Sequence, residues 1–154
     1  MPISILKDYL DKQHVKYECL NHARAYTAQE VAASAHVSGK SLAKIVIVKA
    51  GGQLAMVVLP AHDHINFAAL KAATGWKDLN LASESEFKSQ FPECEVGAMP
   101  PFGNLFGVPV FASSELRHYP QMVFNAGTHI ELMRLAYADF ERLVKPKVIS
   151  TSDW

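Results

Sequence analysis

Ile3, Leu6 and Leu10, continued by Val15, recur at helical spacing, while Ser4, Asp8, Asp11 and Lys12 fill the polar side. The pattern predicts an amphipathic helix from residue 3 to about residue 13. Thr27-Ala28-Gln29-Glu30 reads as a capping box, in which the hydroxyl and the carboxylate satisfy orphan N–H groups before an alanine-rich run ending at Gly39. A second helix is expected over roughly 28–36. Ile45–Val48 and Leu54–Leu59 are apolar runs on either side of Ala50-Gly51-Gly52-Gln53. They predict a hairpin, and because neither run alternates with polar residues, each strand is expected to be covered on both faces.

Asn66 to Ala73 predicts a short helix stopped by Gly75, and Ser83 to about Phe91 predicts another, ended by Pro92. Short strands are expected at 108–112, 121–126 and 130–134. Phe140, Leu143 and Val144 share one side of a final helix from about Tyr137 to Val144, which stops before Pro146 and leaves a short tail. No repeat or linker interrupts the series. Hairpins and helices without strict βαβ alternation imply one mixed α/β (α+β) domain over residues 1–154, with the strand order left open.

Composition narrows the function classes. With 49% hydrophobic residues, 8 Gly and 8 Pro in 154 residues, the chain can bury a continuous core and is neither disordered nor collagen-like. Fifteen basic residues balance fifteen acidic ones, which argues against a broad electrostatic stripe along a nucleic-acid duplex and leaves room for a small local contact. Cys19 and Cys94 form no C-x-x-C pair, so reduced thiols that serve packing in a cytoplasmic protein are expected. Charges at Lys7 and Asp8 interrupt any signal-peptide core, and the uncharged stretch Val96–Ser114 carries too much Gly and Pro for a lipid-exposed helix.

Three places can carry chemistry. Lys44 heads an apolar strand on the face of Val46 and Val48, so its ammonium meets an anion or a wet cleft there, or snorkels to water. In Gly97-Ala98-Met99-Pro100-Pro101-Phe102-Gly103-Asn104 two glycines frame two prolines. Such a stiff loop can aim backbone N–H groups at a developing oxyanion, or serve as a tight connection under the core. Phe124-Asn125-Ala126-Gly127-Thr128-His129 offers donors, acceptors and a titratable base, or simply a turn between two strands. His62-Asp63-His64 could share a metal ion, but the chain supplies no H-E-x-x-H or C-x-x-C to complete a set, and a solvated loop with a helix cap is the plainer reading. Neither a nucleophile elbow, a Walker A sequence nor G-x-G-x-x-G is present.

Taken in order, Ser41-Leu42-Ala43-Lys44-Ile45-Val46-Ile47-Val48, the Gly97 to Gly103 loop and Asn125-Ala126-Gly127-Thr128 make the chain resemble the YbaK/ProX-type aminoacyl-tRNA editing domains, similar to the insertion domain of bacterial prolyl-tRNA synthetase. The resemblance runs from Tyr26-Thr27-Ala28 to the Asp139-Phe140 helix. It implies a mixed, partly barrel-shaped sheet flanked by helices. It also implies a freestanding deacylase that hydrolyses the ester of a mischarged tRNA, with the tRNA acceptor end as partner, a synthetase as a second partner, and no cofactor or metal. Lys44 matches the lysine that contacts the terminal nucleotide and supports catalysis. Gly97, Ala98, Met99 and Pro101 match the G-x-x-x-P loop that grips the aminoacyl carbonyl, extended by Phe102 and Gly103. Asn125, Gly127 and Thr128 match the turn lining the same pocket, and Tyr26 and Thr27 the segment that closes it.

Three features depart from other members. Ile45 stands where some carry a polar residue, Pro100-Pro101 stiffens the loop, and His129 follows a less glycine-rich turn, where it is expected to orient groups or transfer a proton. An aminoacyl ester is reactive enough that holding it, stabilising the oxyanion and admitting water suffice. The alternative from another class is a catalytically silent module of the same fold that binds a tRNA end or a synthetase.

Overall fold

The computed structural model describes residues 3–21 and 41–151. The helix expected at 28–36, with Tyr26 and Thr27 before it, lies outside the described residues. Helix α1 (Ser4–Lys12) forms where the periodicity places it, and Leu6 and Leu10 on its apolar side are fully buried. Strand β1 (Tyr17–Asn21) follows. The predicted hairpin is β2 (Ala43–Ala50) and β3 (Gln53–Pro60), paired antiparallel about Gly51 and Gly52, both at positive φ. From Ala55 onward β3 is buried on both faces. β2 differs from expectation: Lys44, Ile45 and Val46 are only half-buried, because its next neighbour, β4 (Leu79–Leu81), pairs only with Val48–Ala50.

Helix α2 (Phe67–Thr74) starts with the Asn66 side chain accepting from the Ala69 N–H and stops at Gly75, whose φ of 76° only glycine takes without strain. Ser83 and Glu86 form a capping box, but the helix they open, α3 (Glu84–Phe87), is shorter than expected. It tightens into a 3-10 turn over Lys88–Gln90, which lets both Phe87 and Phe91 reach the core in edge-to-face contact. Strands β5 (Val110–Ser113), β6 (Gln121–Asn125) and β7 (Glu131–Ala136) come next, and helix α4 (Tyr137–Val144) has the predicted bounds. The tail is not irregular: Lys147–Ile149 forms β8, parallel to β5.

The strands make two sheets, β1-β7-β6 and β4-β2-β3-β5-β8. Among the described residues they do not close into a barrel. A parallel bridge between Leu42 and Val123, with the Val123 N–H donating to the Ser41 carbonyl at 3.0 Å, joins them at one corner. Between them lies the main core, built from α1, α4, one face of each sheet and the segment Met99–Val108. A second cluster beneath α2 covers the opposite face of the five-stranded sheet with Val48, Val57, Leu59, Leu70 and Phe111. Among the described residues no helix is long and apolar enough to cross a membrane.

Candidate functional site

The β6–β7 turn and the Gly97 loop, 28 residues apart in sequence at Gly97 and Asn125, lie against each other. Backbone bonds lace them together. The Gly127 N–H donates to the Ala98 carbonyl at 2.9 Å, and the Glu95 N–H donates to the Gly127 carbonyl at 2.8 Å. Gly127 makes this approach with φ of 102°, and a Cβ there would stand 2.4 Å from Ile3 Cγ2. The Asn125 side-chain amide donates to the Thr128 carbonyl at 3.2 Å and so shapes the turn from within. Thr128 Oγ1 is buried and has no hydrogen-bond partner among the described residues.

His129 reaches across the same seam. Its Nε2 stands 2.7 Å from the Val96 carbonyl oxygen, and since a carbonyl only accepts, Nε2 carries a proton and donates. Its backbone N–H donates to Glu95 Oε1 at 3.3 Å. The imidazole also lies over Gly97, with Cε1 only 3.5 Å from where a Cβ would stand. Glu95 and Val96 were not among the residues singled out by pattern. Glu95 borders the uncharged stretch that contains the loop, and that border is its one signal in the sequence.

The bond to the Val96 carbonyl has a geometric corollary. In a planar trans peptide the N–H points opposite to the C=O, so holding the Val96 carbonyl toward His129 turns the Gly97 N–H away from it. Within the loop, the Ala98 N–H is used by the Glu95 carbonyl at 3.0 Å, and Pro100 and Pro101 have none to offer. Within Gly97–Pro101, Gly97 and Met99 are left as donors, neither bonded to another described residue. Beyond them the loop is anchored. Pro100, Pro101 and Gly103 are buried, and Phe102, fully buried, packs against Phe124 and Phe140 at ring separations of 5.7 and 5.9 Å. Ala98 and Met99 are buried as well, so Gly97 is the loop's exposed residue before Asn104, with Phe102 serving as the loop's root.

Lys44 sits two residues beyond Leu42 in β2, as Asn125 sits two beyond Val123 in β6, and alternation puts both on the side of the sheets that carries the bridging pair. No hydrogen bond between described residues joins Lys44 to Gly97 or His129. Partial burial pushes the ammonium below its ordinary pKa, and the Asp63 carboxylate opposes that shift. Asp63 also lies 3.4 Å from His62 Nε2, and no group of three metal-ligating side chains occurs among the described residues. Cys94, one residue before Glu95, is half-buried: burial first, then Glu93, pushes its thiol up to about 11, away from the thiolate form. Elsewhere Arg117 pairs with Glu141 at 3.1 Å and Arg134 with Glu18 at 2.6 Å.

Residues 22–143 match the model of the aminoacyl-tRNA editing domain. The chain belongs to that family. The editing-domain fold is shared by solved structures across nearly the full chain. One, described as a candidate trans-editing enzyme for prolyl tRNA synthetase, gives a TM-score of 0.81 at 18% identity over 95% of this chain and 93% of its own. A hypothetical protein gives 0.83 at 18% identity over 96% and 97%. In a candidate signal transduction protein from Marinobacter aquaeolei VT8 the fold is one part of a longer chain, with a TM-score of 0.76 at 13% identity over 97% of this chain and 30% of that one. These identities speak for the fold alone. No curated protein sequence matches the chain.

Proposed function

We propose that this protein is an aminoacyl-tRNA deacylase acting in trans on a mischarged tRNA. The observation that carries the proposal is the lacing of the Gly97 loop to the β6–β7 turn, with the Gly97 and Met99 N–H groups unbonded to other described residues. Water, assisted by a ribose hydroxyl of the substrate, adds its oxygen to the ester carbon. The carbonyl electron pair becomes an oxyanion, which the Gly97 N–H stabilises, with Met99 as the second donor. Collapse breaks the bond to the ribose oxygen of the terminal adenosine, and that oxygen takes the proton released by the water. Free amino acid and uncharged tRNA result. No protein nucleophile is required.

Lys44 takes a phosphate or hydroxyl of the terminal nucleotide as the anionic or polar partner that its half-buried ammonium favours. Asn125, Gly127 and Thr128 wall the acyl pocket, with Ala98 beneath it. His129 orients the loop through the Val96 carbonyl. Acyl groups that differ by one methylene are separated by only about 1–3 kcal/mol in any one pocket, which is the reason for editing at a second site.

The test is deacylation of tRNAs charged with alanine, cysteine, serine, threonine and proline. We expect the intact protein to release one of these selectively and Lys44→Ala to lower that rate about 10²-fold, the scale of losing one charge-stabilising group. Retained tRNA or synthetase binding without turnover on any ester would instead identify a silent binding module.

A further inference from the structure

We infer that Glu95 is a positioning residue of this site, acting through His129 on the Gly97 N–H; the inference rests on the deacylase proposal. Glu95 holds both sides of the seam at once. Its backbone N–H donates to Gly127, its carbonyl accepts from Ala98 at 3.0 Å, and its carboxylate accepts from the His129 N–H at 3.3 Å. The His129 ring then returns to the residue next to Glu95, donating to the Val96 carbonyl. Carboxylate, histidine and peptide form a closed circuit. Rotation of the Val96–Gly97 peptide would break the Val96 bond, so the circuit fixes where the Gly97 N–H points. The two backbone bonds survive any substitution at Glu95 that preserves folding, whereas the bond to His129 is carried by the side chain alone.

A purely structural role predicts that every substitution acts through stability. The positioning role predicts a split. Glu95→Gln keeps an acceptor oxygen at the same distance and should stay within about threefold of the wild-type kcat, because a neutral acceptor still makes a fair hydrogen bond. Glu95→Ala removes the acceptor and should lower kcat about 10²-fold with little change in KM, the size of effect that a displaced catalytic group produces. Urea midpoints establish that both variants are folded. Amide NMR spectra of the same proteins supply a readout independent of turnover: the His129 and Gly97 resonances should move together in Glu95→Ala and hold their places in Glu95→Gln.

An unchanged rate in folded Glu95→Ala, or equal losses in both variants, would overturn the inference. So would a His129 resonance that moves while that of Gly97 does not. If the wild-type protein hydrolyses no aminoacyl ester, the deacylase proposal falls, and the spectra alone still decide whether Glu95 controls the Gly97 peptide.

Discussion

Partial burial disfavours the charged form of Lys44. Its ammonium is partly removed from water in the folded chain, so its pKa there lies below the value of 10.5 that it has when unfolded. Between those two values the unfolded chain holds a proton that the native chain has lost, and stability rises as pH climbs through the window. Below the window the penalty is present in full. Lys44→Met should therefore raise the thermal midpoint at pH 7, and its advantage should shrink as the pH approaches 10.5; calorimetry across that range checks it. A stabilised variant without deacylation is the expected signature of a residue retained for function. Lys44 could be picked out in advance because a cation in an apolar strand breaks a local pattern. Glu95 could not, since what distinguishes it is a partner 34 positions away.

At the scale of elements, legibility followed the range of the forces involved. α2 carries its own start and stop signals in Asn66 and Gly75, whereas α1 and α4, without a side-chain cap at their N-termini, show themselves by apolar periodicity, and the bounds of all three matched expectation closely. The segment after Ser83 has an equally good cap, yet Phe91 is drawn against Phe106, with ring centroids 4.9 Å apart, and the helix gives way to a 3-10 turn. β8 has no local signal at all, because Lys147–Ile149 is a strand only by virtue of β5 beside it. The β6–β7 turn joins both kinds of information: its small residues were visible, but its docking on the start of α1 was not. The Ile3 N–H donates to the Ala126 carbonyl at 3.2 Å, and Ile3 fills the space beside Gly127. Gly127→Ala must both adopt a strained φ and displace Ile3, and should lower unfolding free energy by about 2–4 kcal/mol, as read by urea denaturation.

For the whole molecule, the central fact is that one core supports both sheets and the loop. Phe102 touches Tyr9 of α1, Phe124 of β6 and Phe140 of α4, so a single ring ties the root of the loop to three elements. Phe102→Ala should cost about 3–5 kcal/mol, measurable as a lowered urea midpoint, and should loosen the loop before the sheets. The order β4-β2-β3-β5-β8 and the parallel β3–β5 pairing could not be read in advance. Apolar runs reveal that strands are buried and not which strand lies beside which. The lacing of the loop to the turn bears on how such a protein changes over generations. Ala98, Gly127 and Glu95 join these segments through main-chain atoms, so those bonds persist under substitution of neighbouring side chains. On the proposed deacylase reading, exchanges at Asn125 or Thr128 should change the amino acid released while these main-chain bonds persist, and a library randomised at those two positions, with Gly97 and Gly127 left alone, checks it by deacylation of charged tRNAs.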